Sequence, residues 1–442
     1  MPENGLLNTN KEVQKMDQSY RPDTACIHSG YTPKSGEPQV LPIVQSTTFY
    51  YDNAEEMGRL FNLEDDGYFY TRISNPTIDA VEKKIAALEG GVGCVATSSG
   101  MSAIFIAVLN ICKAGDHIVS SSAIYGGAFN LFNKTMRDMG IDVTFVAPDA
   151  AEAELEAAMQ PNTRVVYCET LANPALVVTD LELYAKVAHA HGVPLIVDNT
   201  FPTPINCRPF QFGADVVVHS TTKYMDGHAV QIGGAIVDSG RFDWTNGNFP
   251  MLTEPDASYH GMVYTERFGK AAYIVKARVH LMRDLGCQAA PENAFLLNLG
   301  LETLALRMER HCANAQKVAE FLEKDSRISW VNYPGLASSP YYQLAQKYMP
   351  HGSCGVISFG VKGGRAAAAK FMESLKLASM VIHVADLRTS VLHPASTTHR
   401  QLTDAQLLDA GISADMIRMS VGIENIEDIL ADIRQALEKV KA

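Results

Sequence analysis

No stretch of this 442-residue chain stays apolar for long enough to cross a bilayer. Met1 to Tyr20 is polar and carries both Glu and Asp, so it lacks the apolar centre of a signal peptide and reads as a flexible arm. Basic charge is not in excess either. Lys and Arg number 37 against 49 Asp and Glu, and the net charge of -12 argues against a polyanion-binding surface, so nucleic acid is set aside as a partner. The eight cysteines, among them Cys94, Cys168 and Cys287, show none of the short paired spacings of zinc sites. Scattered through apolar segments, they fit buried thiols in a reducing cytosol. His189 and His191 share a helical pattern without ligand spacing and His393 stands beside Pro394, so no metal is assigned. Repeats, low-complexity tracts and a G-x-x-x-x-G-K-[ST] phosphate loop are also missing. The remaining composition, 47% hydrophobic and 19% charged, is that of a soluble globular enzyme of two or more domains, expected in the cytoplasm.

What the chain does have is alternation. Short β-branched runs occur at Gly93 to Thr97, His117 to Ser120, Asp142 to Val146, Arg164 to Cys168, Val193 to Val197, Ala214 to Val218 and Gly233 to Val237. Amphipathic stretches such as Met101 to Cys112 and Leu181 to His191 separate them. The rhythm predicts an α/β fold with a mostly parallel central sheet and helices on both faces, and ligands on such sheets gather at the carboxyl ends of the strands. Asp238 to Gly261, rich in Trp, Pro, Gly and acids, reads as a surface insertion. A helical pattern from Asn293 to Lys324 reads as the connector into a smaller C-terminal α/β domain. Its strands would include Gly355 to Gly360 and Ile417 to Val421, and its last helix Ile426 to Lys441.

Chemistry-bearing residues sit at the predicted strand ends. Lys223, in His219-Ser220-Thr221-Thr222-Lys223-Tyr224, follows the apolar run Val216 to Val218. Burial makes an amine lose its proton easily, as attachment to an aldehyde requires; the ordinary alternative is a lysine leaving a strand end for solvent. Asp198 ends the previous apolar run, where an unpaired carboxylate is costly. A pyridinium nitrogen would satisfy it, or it serves as a helix N-cap. Lysine and carboxylate at successive strand ends together suit pyridoxal 5'-phosphate (PLP). Ser99, Gly100 and Met101 join a strand to a helix start, where backbone N–H groups bind phosphate, and Ser220 and Thr222 offer hydroxyls; most such turns are simple caps. Tyr70 and Arg72 share one side of an extended segment and suit a phosphate dianion, against a solvated strand edge. Tyr125, beside Gly126 and Gly127, can lie flat on a planar cofactor or merely occupy a turn. Arg418 interrupts an apolar strand and needs an anion: a substrate carboxylate, or Glu424 in a structural salt bridge.

Taken in order, Tyr70 to Thr77, Ser99-Gly100-Met101, Tyr125-Gly126-Gly127, Asn173-Pro174, Val197 to Thr200, His219 to Lys223, His393 to His399 and Arg418 to Gly422 resemble the Cys/Met-metabolism family of PLP enzymes. The likeness runs from about Ala25 to the C-terminus. It implies a PLP-dependent transferase fold of type I, like that of aspartate aminotransferase, divided as 1-72 (N-terminal arm and inter-subunit segment), 73-292 (large PLP-binding domain) and 293-442 (C-terminal domain). It also implies that Lys223 carries the cofactor, Asp198 pairs with its ring nitrogen, Tyr125 stacks on it and Asn173 approaches its phenolic oxygen. Gly100, Met101, Ser220 and Thr222 would hold the phosphate with Tyr70 and Arg72 of a neighbouring subunit, in a tetramer of two site-sharing dimers. Arg418 would bind the substrate carboxylate.

Within the family the wording is most similar to the O-acetylhomoserine sulfhydrylase branch. The resemblance rests on Gly240 to Gly261, on Pro394 to His399, and on Gly127, where methionine γ-lyases have a cysteine. Glu169 to Pro174 is closer to the lyase wording, and Ile382 to Ser390 departs from the usual phrase, with His383 where a small polar residue is expected near the substrate carboxylate. The implied activity is a γ-replacement joining O-acetyl-L-homoserine to sulfide or methanethiol, with Tyr125 assisting proton transfer. A γ-lyase releasing 2-oxobutyrate and ammonia, or a PLP-fold binding protein without turnover, are the alternatives.

Overall fold

A computed structural model of the chain describes residues 20–397, 400 and 413–440. The polar arm before Tyr20, Thr398 and His399, and the end of the last predicted helix beyond Val440 lie outside the described residues.

The central sheet has seven strands: β1 (Gly93–Thr97), β2 (His117–Ser121), β3 (Asp142–Val146), β4 (Thr163–Glu169), β5 (Leu195–Asp198), β6 (Val216–His219) and β7 (Gly234–Asp238). Their order across the sheet is β1-β7-β6-β5-β4-β2-β3. All neighbours run parallel except at β7, which is antiparallel to both β1 and β6. The reversal has a local cause. Residues 220–233, between β6 and β7, carry turns but no crossover helix, so the chain returns alongside the strand it has just left.

Successive valines of β6 serve opposite faces: Val216 and Val218 join one core cluster and Val217 the other, all fully buried. Each such side chain contributes roughly 1.5–3 kcal/mol relative to an exposed one. Helices α1 (Pro22–His28), α2 (Pro76–Glu89), α3 (Gly100–Leu109), α4 (Gly126–Asn130) and α5 (Leu181–Ala190) belong to this part of the chain. The predicted surface insertion is corrected in part. Trp244 stacks on Tyr273, with ring centroids 4.9 Å apart and planes 9° from parallel, and Phe249 is fully buried, so its aromatics complete the core.

The predicted connector is two helices, α6 (Pro291–Glu302) and α7 (Leu304–Lys324). At the break, Thr303 N–H turns back to Gly300 O at 3.3 Å, and Arg307 also donates to Gly300 O. Beyond α7 lies a second sheet with β8 (Ile328–Asn332), β9 (Val356–Val361), β10 (Ser379–Met380), β11 (Ser390–Leu392) and β12 (Met416–Ser420) in the order β10-β11-β12-β9-β8. It is antiparallel except for β10 with β11. Helix α8 (Ile426–Leu437) closes the described chain and buries Ile429, Ile433 and Leu437 in the core of this second layer.

Seven of the eight cysteines are buried and Cys287 is half-buried; none is in a disulfide. No described helix is long and apolar enough to cross a membrane. His189 and His191 meet Asp215 and Glu156 at 2.8 and 2.6 Å, and His393 meets Ser396 and the Ala414 carbonyl.

Candidate active site

The carboxyl ends of β4, β5 and β6 lie side by side, with Glu169 in register with Asp198, and Asp198 with Val218 one residue before His219. The chain leaves β6 through a tight turn in which Lys223 N–H donates to Ser220 O and Gly227 N–H to Lys223 O. The Lys223 ammonium has no hydrogen-bond or ion-pair partner among the described residues. Burial, with the charge of Arg418 added, pushes its pKa down to about 8. A lysine leaving for solvent would not be shifted in this way.

Asp198 accepts the Thr200 N–H at 2.9 Å, as an N-cap acid would, yet burial still raises its pKa above the usual carboxylate range. A buried carboxylate with no cation bonded to it among the described residues fits a ring nitrogen that carries a proton. Glu169, beside it, is raised further, by burial and then by the Asp198 charge. Its carboxylate accepts the Tyr125 N–H at 2.5 Å and is stabilised by the Asn173 N–H. Glu169 thus fixes two residues that were expected around the cofactor, and it was not among them. Its signal was available: an acid ending the apolar run Val165 to Cys168, the same pattern that singled out Asp198.

Ser99 caps α3, its hydroxyl accepting the Ser102 N–H at 3.1 Å, so the helix starts at Gly100, one residue before the amphipathic stretch that begins at Met101. The N–H groups of Gly100 and Met101 are left without partners among the described residues and open an anion site beside Ser220. A Cβ on Gly100 would come within 2.7 Å of the Ser220 Cβ, so this cradle requires glycine. One on Gly127 would meet the Tyr125 ring at 2.5 Å and Met101 Sδ at 3.2 Å, which places Tyr125, Gly127 and Met101 together. The Thr222 hydroxyl is spent on Gly233, donating to its carbonyl at 3.2 Å and accepting its N–H at 3.0 Å.

Arg418, in the middle of β12, donates to Asn173 Oδ1 at 3.2 Å and Ile382 O at 2.9 Å, while its Nε has no partner among the described residues. Glu424 is elsewhere, accepting from the backbone and hydroxyl of Thr389, so the alternative salt bridge does not form. Burial brings the guanidinium down to about 10. His383 stands by the same cleft. Its Nε2 is 3.9 Å from Asp386 Oδ2 without a hydrogen bond, and burial followed by the Lys223 charge lowers its pKa.

Tyr70 and Arg72 are not with these groups. They line a cavity of about 290 Å³ with Gln45, Thr47, Gln288 and Pro291, and none of Lys223, Asp198 or Ser220 lines it. The Arg72 guanidinium lies 5.3 Å over the Tyr70 ring and donates to the Arg283 carbonyl.

The chain is 45% identical to an O-acetyl-L-homoserine sulfhydrylase of Leptospira meyeri over 97% of its own length and 99% of that protein's. It is 48% identical to a homocysteine synthase of Schizosaccharomyces pombe, covering 94% and 98% of the two chains. A crystal structure described as an O-acetylhomoserine (thiol)-lyase from Campylobacter jejuni, containing a pyridoxyl-lysine phosphate, superposes with a TM-score of 0.91 at 36% identity, over 95% of this chain and all of that one. Residues 23–438 match the family model of the Cys/Met metabolism PLP-dependent enzymes, and the chain belongs to that family.

Proposed function

We propose that the protein replaces the acetyl-bearing oxygen of O-acetyl-L-homoserine with sulfur, giving homocysteine from sulfide or methionine from methanethiol, and acetate. The carrying observation is that a lysine brought down to about 8 shares a cleft with Arg418, which holds Asn173 and has a donor to spare. PLP, when bound, supplies an aldehyde that takes the substrate's amino group and a protonated ring that absorbs charge from the α-carbon. Arg418, assisted by Asn173, binds the α-carboxylate and fixes which bonds face the ring. His383 stands as a neutral imidazole beside that carboxylate. Lys223 Nζ takes the α-proton and then carries protons to and from the β-carbon. Tyr125 offers its hydroxyl to the departing acetate. One C–O bond breaks, one C–S bond forms, and no oxidant is needed.

Tyr70 and Arg72, whose cavity is lined by none of Lys223, Asp198 or Ser220, are assigned to the phosphate of a neighbouring subunit's site, in a dimer that shares its sites and pairs into a tetramer. The eight free cysteines suit a reducing compartment, and the enzyme is assigned to the cytoplasm on that ground. Incubation with O-acetylhomoserine, with and without sulfide, tests the reading. Sulfide-dependent homocysteine supports it. Accumulation of 2-oxobutyrate whether or not sulfide is present would assign the chain to γ-elimination.

A further inference from the structure

Helix α7 carries three buried polar residues on one face, Arg307, His311 and Asn314, at the i, i+4, i+7 spacing of a helical stripe. Such a stripe is ordinarily apolar. Here it touches the turn that bears Lys223 at one end and, at the other, the segment Val421 to Glu424 that directly follows the strand bearing Arg418. Arg307 Nη1 donates to Tyr224 O at 2.6 Å, and Nη2 to Met225 O at 3.4 Å and to Gly300 O, while Nε donates to the Thr303 hydroxyl at 3.1 Å. Gly227 lies flat under the guanidinium: its φ is +72°, and a Cβ there would be 2.1 Å from Nη1. His311 Nδ1 donates to Val421 O at 2.8 Å, and Asn314 Nδ2 donates to Gly422 O and Glu424 O, both at 2.9 Å. Burial pushes His311 down to about 4, so it is neutral, with its proton on the nitrogen facing that carbonyl.

A second set of contacts joins the same two places. Gly355 N–H donates to the Tyr224 hydroxyl at 2.8 Å, and the Tyr224 ring packs edgewise on His311 at 5.0 Å. Leu387 N–H donates to Gly227 O and Ile423 N–H to Leu387 O, both at 2.9 Å, linking the lysine turn to the end of β12 through one residue. The contacts from the stripe to these two places go to backbone carbonyls within three residues of Lys223 or six of Arg418. Apolar side chains would hold α7 in place as well; they would not fix the direction of these five carbonyls.

We infer that Arg307, His311 and Asn314 are positioning residues for the γ-replacement: they set the separation between the lysine amine, which handles the protons, and the arginine, which holds the carboxylate. The inference rests on the roles proposed above for Lys223 and Arg418. It makes the two ends separable. Asn314→Leu, which touches only the arginine side, is expected to raise KM for O-acetylhomoserine by up to about tenfold, the worth of one or two buried hydrogen bonds, with the visible absorption of the bound cofactor unchanged. Arg307→Met, on the lysine side, is expected to lower kcat by about tenfold or more, shift that absorption and weaken PLP retention in equilibrium dialysis, with KM within about twofold. Arg307→Lys should recover part of the loss, and it carries the test if the methionine variant does not fold. Equal effects at both ends, or lower melting temperatures with both kinetic constants intact per bound cofactor, would overturn the inference. Borohydride reduction of the unaltered holoenzyme separates the two failures: a label on a peptide without Lys223 removes the functional reading itself.

Discussion

At the scale of single residues, the site is a set of groups held in states they would not adopt in water. Lys223 is the plainest case. In the role proposed for it, its amine takes the cofactor aldehyde only when unprotonated, and the unprotonated fraction grows as pH rises through about 8. Refilling of apoenzyme with PLP should therefore accelerate with pH up to a plateau above that value, followed by visible absorbance; a rate still climbing toward the ordinary lysine value near 10.4 would contradict the shift. Asp198 is the opposite case, an acid whose folded-state pKa lies above its unfolded one. Such a group releases its proton more readily on unfolding, so its charged form weakens the empty protein at pH values above the ordinary carboxylate range. Asp198→Asn should make the apoprotein more resistant to urea by about 1–3 kcal/mol. The same change should weaken PLP binding by roughly 100-fold or more, in line with ~3–5 kcal/mol for breaking a buried pair. Opposite signs for the two measurements are the distinguishing result. Both residues were legible in the sequence because a charge after an apolar run is conspicuous. Glu169 obeys the same rule and escaped attention because its work is done on the backbone of Tyr125 and Asn173, which no side-chain motif announces.

At the scale of elements, the seven strands of the central sheet were legible to within two residues at either end, because strands of a sheet covered on both faces are written as short β-branched runs. Two features were not. The direction of β7 depends on what its connection lacks, and residues 220–233 have no helix whose pattern would show it. The division between α6 and α7 depends on a contact 75 residues away in sequence: a Cβ on Gly300 would lie 2.4 Å from Asp226 O and 2.5 Å from Met225 O. Leucine periodicity runs through that point and conceals it. Gly300→Ala should force α6 away from the lysine turn, lowering stability by about 1–3 kcal/mol in denaturant titration. The loss should be accompanied by slower PLP refilling, and an alanine variant of normal stability would show that the turn yields.

At the scale of the whole molecule, two sheets face one cleft, and the groups in it come from both: Lys223, Asp198, Tyr125 and Asn173 from the first, Arg418 and His383 from the second. The pairing of Tyr70 with Arg72 was visible from their alternation, but their separation from Lys223 was not, since a single sequence does not say which copy of a chain completes a site. Arg72→Ala and Lys223→Ala proteins, each of low activity, should regain part of it when unfolded together and refolded, because a mixed dimer contains one site with both residues intact. No recovery, with mixed dimers demonstrated, would place Arg72 outside the neighbouring site.

The sealed cysteines take on meaning beside the proposed sulfur substrate. Sulfide and methanethiol oxidise in air to polysulfides and disulfides, and it is these oxidised forms that persulfidate or exchange with exposed thiolates. Burial pushes the thiol pKa upward at Cys26, Cys94, Cys112, Cys168, Cys207, Cys312 and Cys354, so each remains both protonated and out of reach. The folded protein should take up no more than one equivalent of iodoacetamide, at Cys287, and go on handling reactive sulfur without being altered by it.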